Sequence, residues 1–183
     1  MEKQRIKAIE PPYPESVQKD FDTIMPAGMP PLNVFLTVAN NPRVLHRFII
    51  GGLLDRGSIS IQDREIVILR ACGICKAEYE WGVHVAGFSA KAEINQNQID
   101  NTYKETIDQS LWNDKQLCIL SLVDQLHETQ TCDDELWRKL REHYQDDQLI
   151  ELVMLAGLYH AVSFIVNSLR IEKESFAPGF KSS

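Results

Sequence analysis

An all-α fold is predicted by three features of the sequence: capped helix starts, long apolar stretches, and no convincing strand alternation or hairpin turn. The clearest start is Ser60-Ile61-Gln62-Asp63, where Ser60 can cap the orphan amides of a first turn and Asp63, three residues on, can reach back. Ile66, Val67, Ile68, Leu69, Ala71, Cys72 and Ile74 follow and leave little room for a wet face, so this helix is expected to be mostly buried. A break is expected at 76–78, then a second helix over about 79–92. Asn95 with Gln98 three residues on marks another capped start, and the pattern supports further helices over 114–128 and 133–144.

Six of the eight prolines lie between Pro11 and Pro31. Proline lacks an amide donor, so residues 1–31 read as a Pro-rich arm, extended with at most short helical pieces. Residues 32–175 read as a single helical domain and 176–183 as a C-terminal tail. Apolar stretches at 32–36 and 44–48 are separated by Asn40-Asn41-Pro42 and closed by Gly51-Gly52, a pair without the spacing of a phosphate-binding loop. The last helix, over about 147–169, approaches the length that spans a bilayer. Glu151, His160 and Asn167 interrupt it and no basic cluster flags an inside end, so it suits a bundle centre or a subunit interface better than a membrane.

With 26 acids against 19 Lys and Arg, spread along the chain, the formal charge is −7 and a broad basic surface for phosphate backbones is not expected. Nucleic acid is therefore a poor partner. The charged start, Met1 to Arg5, leads into prolines and reads as neither secretory signal nor membrane anchor, which favours the cytoplasm. Four cysteines, unevenly placed, do not make a disulfide framework and are read as reduced thiols.

Glu80 and His84 are four residues apart, one turn along one helix face, and a carboxylate beside an imidazole can transfer a proton. Such pairs are also common on solvated helices. What raises this one is the preceding buried helix, whose first turn carries Glu65. If the chain reverses near Cys75-Lys76 into an antiparallel hairpin, Glu65 lies about 10 residues before the turn and His84 about 8 after it. At ~1.5 Å per residue their heights then differ by only a few ångströms. Tyr79 and Trp81 flank Glu80 and are read either as walls of a substrate pocket or as core aromatics.

The stretch from Asp63 to Ala92, especially Arg64-Glu65-Ile66-Val67-Ile68-Leu69-Arg70 and Ala77-Glu78-Tyr79-Glu80-Trp81-Gly82-Val83-His84-Val85, resembles the carboxymuconolactone decarboxylase family, which includes alkylhydroperoxidase D. Ala156-Gly157-Leu158-Tyr159-His160 through Asn167-Ser168-Leu169 is similar to that family's closing helix. The resemblance implies an alkylhydroperoxidase D-like helical bundle assembled into trimers or hexamers. It also implies two chemistries. The peroxidase branch relays protons through a glutamate, a Cys-x-x-Cys pair and a histidine; the matching positions here are Glu65, then Ala77 and Glu80 where cysteines would stand, then His84. The decarboxylase branch matches Glu80 and His84 and needs no cysteine, but does not generally use a glutamate at the position of Glu65.

Cys72-Gly73-Ile74-Cys75 is a Cys-x-x-Cys sequence five residues upstream of the family's redox positions. It lies near the end of an apolar helix, where the helix dipole works against a thiolate, so packing cysteines are favoured over a dithiol. Gly73 could loosen that helix, and the hairpin would put Cys72 near Glu80. His46, His127, His143 and His160 show no paired metal spacing, so no metal is expected, and no cofactor is implied. The leading expectation is a cofactor-free acid–base enzyme acting on a small cyclic carboxylic acid or lactone, with His84 as donor, Glu80 orienting it and Glu65 as second carboxylate. The alternatives are a thiol peroxidase running on Cys72 and Cys75, and a non-catalytic oligomeric scaffold.

Overall fold

A computed structural model describes residues 3–181. Among the described residues the regular structure is helical: α1 (Glu15–Ile24), α2 (Asn33–Val38), α3 (Pro42–Ile50), α4 (Ile61–Ile74), α5 (Glu78–Phe88), α6 (Gln96–Asn101), α7 (Asp114–Thr129), α8 (Asp134–Arg141) and α9 (Asp146–Leu169), with one 3-10 turn at Gln109–Leu111. The all-α expectation holds.

The centre is α4, buried continuously from Asp63 to Gly73 and packed against α5, α7 and α9. Ser60 caps it by accepting from the Asp63 amide at 3.1 Å. The carboxylate of Asp63 does not complete the capping exchange expected of it. It accepts instead from Lys115 Nζ on α7 at 2.7 Å, because a 3% exposed anion gains more from a cation than from a spare amide. Asn95 and Gln98 do form the reciprocal cap of α6.

The reversal between α4 and α5 is a Schellman turn: the Ala77 amide donates to Cys72 O at 2.8 Å and the Lys76 amide to Gly73 O at 3.1 Å. Lys76 sits at φ 54°, the left-handed position that glycine normally fills. Gly73 does not loosen α4. A Cβ there would lie 2.4 Å from Thr102 O, so the glycine lets the chain after α6 press directly on the helix.

Residues of the Pro-rich segment cross the bundle's surface, the Arg5 amide donating to Leu169 O and the Ile9 amide to Leu36 O. This segment also contains α1, which buries Val17 and Phe21 and packs on α3. The end of the chain is packed as well: Phe180 stacks on Tyr103 at 4.6 Å between centroids and meets Trp81 edge-on.

By length and composition α9 is apolar enough to cross a membrane, and 44% of its most apolar stretch is buried. Its inner face, including Leu152, Leu155, Tyr159, Val162 and Val166, packs against α4, α5 and α7. Its outer face exposes Ile150, Met154 and Phe164.

Candidate functional site

The α4–α5 hairpin sets Glu65 against His84, and α9 closes over them with Tyr159. Glu65 is fully buried, and its Oε2 lies 2.7 Å from His84 Nδ1. Its Oε1 receives Nε and Nη2 of Arg64, each at 2.9 Å. The other imidazole nitrogen, Nε2, faces Tyr159 Oη at 3.0 Å and Glu80 Oε1 at 3.5 Å. Phe88 stacks on the ring and Tyr159 meets it edge-on, fixing its plane. His84 is 2% exposed, Tyr159 3% and Glu80 9%, so Glu80 is the member nearest solvent.

Burial alone would push the His84 imidazole down, but Glu65 against Nδ1, with Glu80 behind Nε2, outweighs it and raises it to about 9. The raised value favours the imidazolium at neutral pH, the form in which Nδ1–H donates to Glu65 and Nε2–H to the Tyr159 oxygen. Burial, reinforced by Glu80 and Glu65, pushes the Tyr159 phenol well above its usual range, so it is a neutral hydroxyl. The whole is a dry, charge-balanced proton chain: cation, anion, cation, with a phenol and a second carboxylate at the open end.

The structure brings Glu65, Glu80 and His84 together, with Glu65 making the closer contact to the imidazole. Glu65 orients His84, and Glu80 stands off at the edge. Tyr159 and Arg64 complete the site and were not singled out from sequence. Tyr159 is 75 residues from His84. Its only local signal is a hydroxyl-bearing ring on the inward, apolar face of α9.

Tyr79 and Trp81 are not pocket walls. Tyr79 is a core residue whose hydroxyl donates to Glu174 at 2.7 Å and accepts from the Val34 amide at 3.1 Å. Trp81 donates to Thr102 Oγ1 at 2.9 Å in the core. Tyr79 leaves α5 about 140° from His84, whereas Trp81, three residues before His84, leaves about 60° from it and is held in the core by Thr102 and Tyr103.

Cys72 and Cys75 are free thiols in different settings. Cys72 is fully buried, and burial, then the nearby Glu80 carboxylate, pushes its thiol well above its usual range. Cys75, at the end of α4, is half-buried, and burial pushes its thiol up too. A cavity of about 130 Å³ is lined by Arg64 together with Asp55, Arg56, Ile61 and Glu151.

No family model matches the sequence, and no curated protein shows significant similarity to it. Solved structures do share its fold. A peroxidase-related protein from Ralstonia eutropha JMP134, described as an alkylhydroperoxidase AhpD core, superposes with TM-score 0.79 at 18% identity, over 96% of this chain and 94% of that one. A peroxidase-related protein from Silicibacter sp. TM1040 gives TM-score 0.79 at 15% identity, over 99% and 97%. The debrominase Bmp8, as a cysteine-to-alanine variant in complex with a tribromopyrrole, gives TM-score 0.69 at 15% identity, over 95% and 94%. At these identities the likeness is one of fold: an alkylhydroperoxidase D-like bundle.

Proposed function

We propose that this chain, an alkylhydroperoxidase D-like bundle, is a cofactor-free acid–base enzyme that decarboxylates a small cyclic carboxylic acid or lactone. The observation supporting acid–base chemistry is the 2.7 Å contact between buried Glu65 and His84, which favours a protonated imidazole; Glu65 itself stands where the resemblance places the peroxidase branch's glutamate. When a carboxylate beside a lactone carbonyl leaves as carbon dioxide, the electron pair of the broken C–C bond stays on carbon and spreads into the carbonyl. That carbon then needs a proton. In this reading His84 Nε2–H turns from Tyr159 Oη to the substrate to supply it, Tyr159 O–H hydrogen-bonds the developing oxyanion, and Glu80, nearest solvent, returns a proton from water to His84.

Thiol peroxidase chemistry on Cys72 and Cys75 is the competing reading, favoured by the peroxidase-related proteins of the same fold. Against it, Cys72 is buried beside a carboxylate, an environment opposite to the electropositive one that makes a thiolate nucleophile.

The test is turnover of carboxylated lactones by the purified full chain, followed as carbon dioxide release. His84→Asn is expected to lower kcat by at least about 100-fold and Tyr159→Phe by about 10-fold. The wild-type rate should fall above about pH 9 as His84 loses its proton. Activity untouched by His84→Asn would overturn the reading. Peroxide turnover with a dithiol donor, abolished by Cys72→Ser, would replace it. A correctly folded chain inactive in both assays would leave the scaffold.

A further inference from the structure

We propose a zinc-binding site formed by Cys75, His127 and His160, independent of the acid–base centre. The residues come from three helices: Cys75 caps the end of α4, His127 lies in the last turn of α7, and His160 lies on the middle of α9. Linear spacing shows nothing of this, yet Cys75 Sγ lies 3.9 Å from His127 Nδ1 and His127 Nδ1 lies 3.0 Å from His160 Nε2. All three ligand atoms fall within 4.8 Å of one another.

Those separations suit one ion. Around a tetrahedral zinc, with sulfur at ~2.3 Å and nitrogen at ~2.0–2.1 Å, ligand atoms stand roughly 3.5 Å apart for sulfur to nitrogen and roughly 3.3 Å for nitrogen to nitrogen. The two contacts to His127 need shifts of a few tenths of an ångström, and the Cys75 Sγ to His160 Nε2 separation, within 4.8 Å, needs up to about 1 Å of closure by side-chain rotation at the helix surfaces. One thiolate and two imidazoles are a zinc donor set, whereas calcium and magnesium require oxygen ligands.

The orientation of the donors is the second line of argument. His160 Nδ1 donates to Ala156 O at 2.7 Å, which fixes the tautomer and leaves the Nε2 lone pair aimed at the cluster. This is the backbone-carbonyl support that zinc-ligating histidines use. The carbonyl of Cys75 accepts from Asn167 Nδ2 at 2.8 Å, tying the end of α4 to α9 and holding the sulfur beside His127. His127 is exposed and the other two are half-buried, so the fourth position opens to solvent, the arrangement of zinc sites that bind a water or an exogenous ligand. Zinc there engages the sulfur of Cys75 and leaves Cys72 without a partner thiol.

The test uses the chelator-stripped full chain titrated with zinc chloride by calorimetry, and with cobalt(II) as a spectroscopic probe. One equivalent per chain is expected, with a thiolate-to-cobalt charge-transfer band and a rise in Tm on adding zinc. Cys75→Ser should abolish the band, and His127→Ala and His160→Ala should each weaken zinc binding by about 100-fold or more. Cys132→Ser should leave both unchanged. His127 is solvent-exposed, so its variant keeps the test usable if Cys75→Ser folds poorly, as circular dichroism of the metal-free protein will show. No saturable binding, or affinity unchanged in the histidine variants, overturns the proposal.

Discussion

The His84 centre and the His127–His160 cluster share α4 and α9, with α5 supplying His84 to one and α7 His127 to the other, and they differ in what surrounds the imidazole. His84 is sealed among Glu65, Glu80 and Tyr159, with a carboxylate against Nδ1. His127 and His160 stand at the edge of the bundle, facing each other and a sulfur. One environment fixes a proton on the ring by placing an anion beside it in a dry site. The other holds a hydrogen-bonded imidazole pair, His127 Nδ1–H donating to His160 Nε2, beside a thiol, so that a metal binding there takes the place of the shared proton. The ring is the same, and its neighbours decide whether it acts as a proton donor or as a ligand.

The sharpest way to break this contrast is to remove the anion. Glu65→Gln leaves two buried cationic groups, Arg64 and His84, facing a neutral amide, and is expected to cost about 3–5 kcal/mol in urea denaturation at pH 7. If the loss were below about 1 kcal/mol, the charge-balanced description of the site would fail.

The same pair gives a pH signature with a definite sign. His84 is raised from 6.5 to about 9 on folding, so the folded state binds the extra proton. Its contribution to stability is fully present below pH 6.5 and is lost as pH rises through about 9. The loss is up to ~3 kcal/mol, with little solvent screening at a buried site. Melts of wild type and Glu65→Gln across that window should converge as pH rises. Parallel curves would mean that His84 is neutral throughout.

The smallest effect lies at the joint between the two centres. Lys76, left-handed between Cys75 and α5, is expected to gain about 1 kcal/mol on Lys76→Gly, because the turn keeps its hydrogen bonds and loses the Cβ penalty. A destabilised variant would show that the lysine side chain holds the turn.

Much of the architecture was legible in sequence because its signals are local. Ser60 and Asn95 announce helix starts by their own side chains, and the Glu65–His84 approach follows from counting residues either side of one turn. What escaped depends on distant chain segments. Tyr159 and Arg64 enter the proton chain only because α9 closes over the hairpin and Arg64 folds back onto its neighbour. Asp63 looked like a capping acid until Lys115 arrived from α7. Cys72 and Cys75 read as one pair by spacing, and both thiols do lie against Ser163 of α9, but Cys72 is fully buried whereas Cys75, at the helix end, is half-buried and also meets His127 of α7.

Tyr159 and His160 are consecutive, and each belongs to a different centre. Their side chains leave α9 ~100° apart and only ~1.5 Å apart along its axis. The helix is therefore a shaft with two cams set side by side: a twist that draws the phenol away from His84 swings the neighbouring imidazole relative to Cys75 by the same angle. The two centres share no ligand, yet adjacent residues of one helix place a side chain in each.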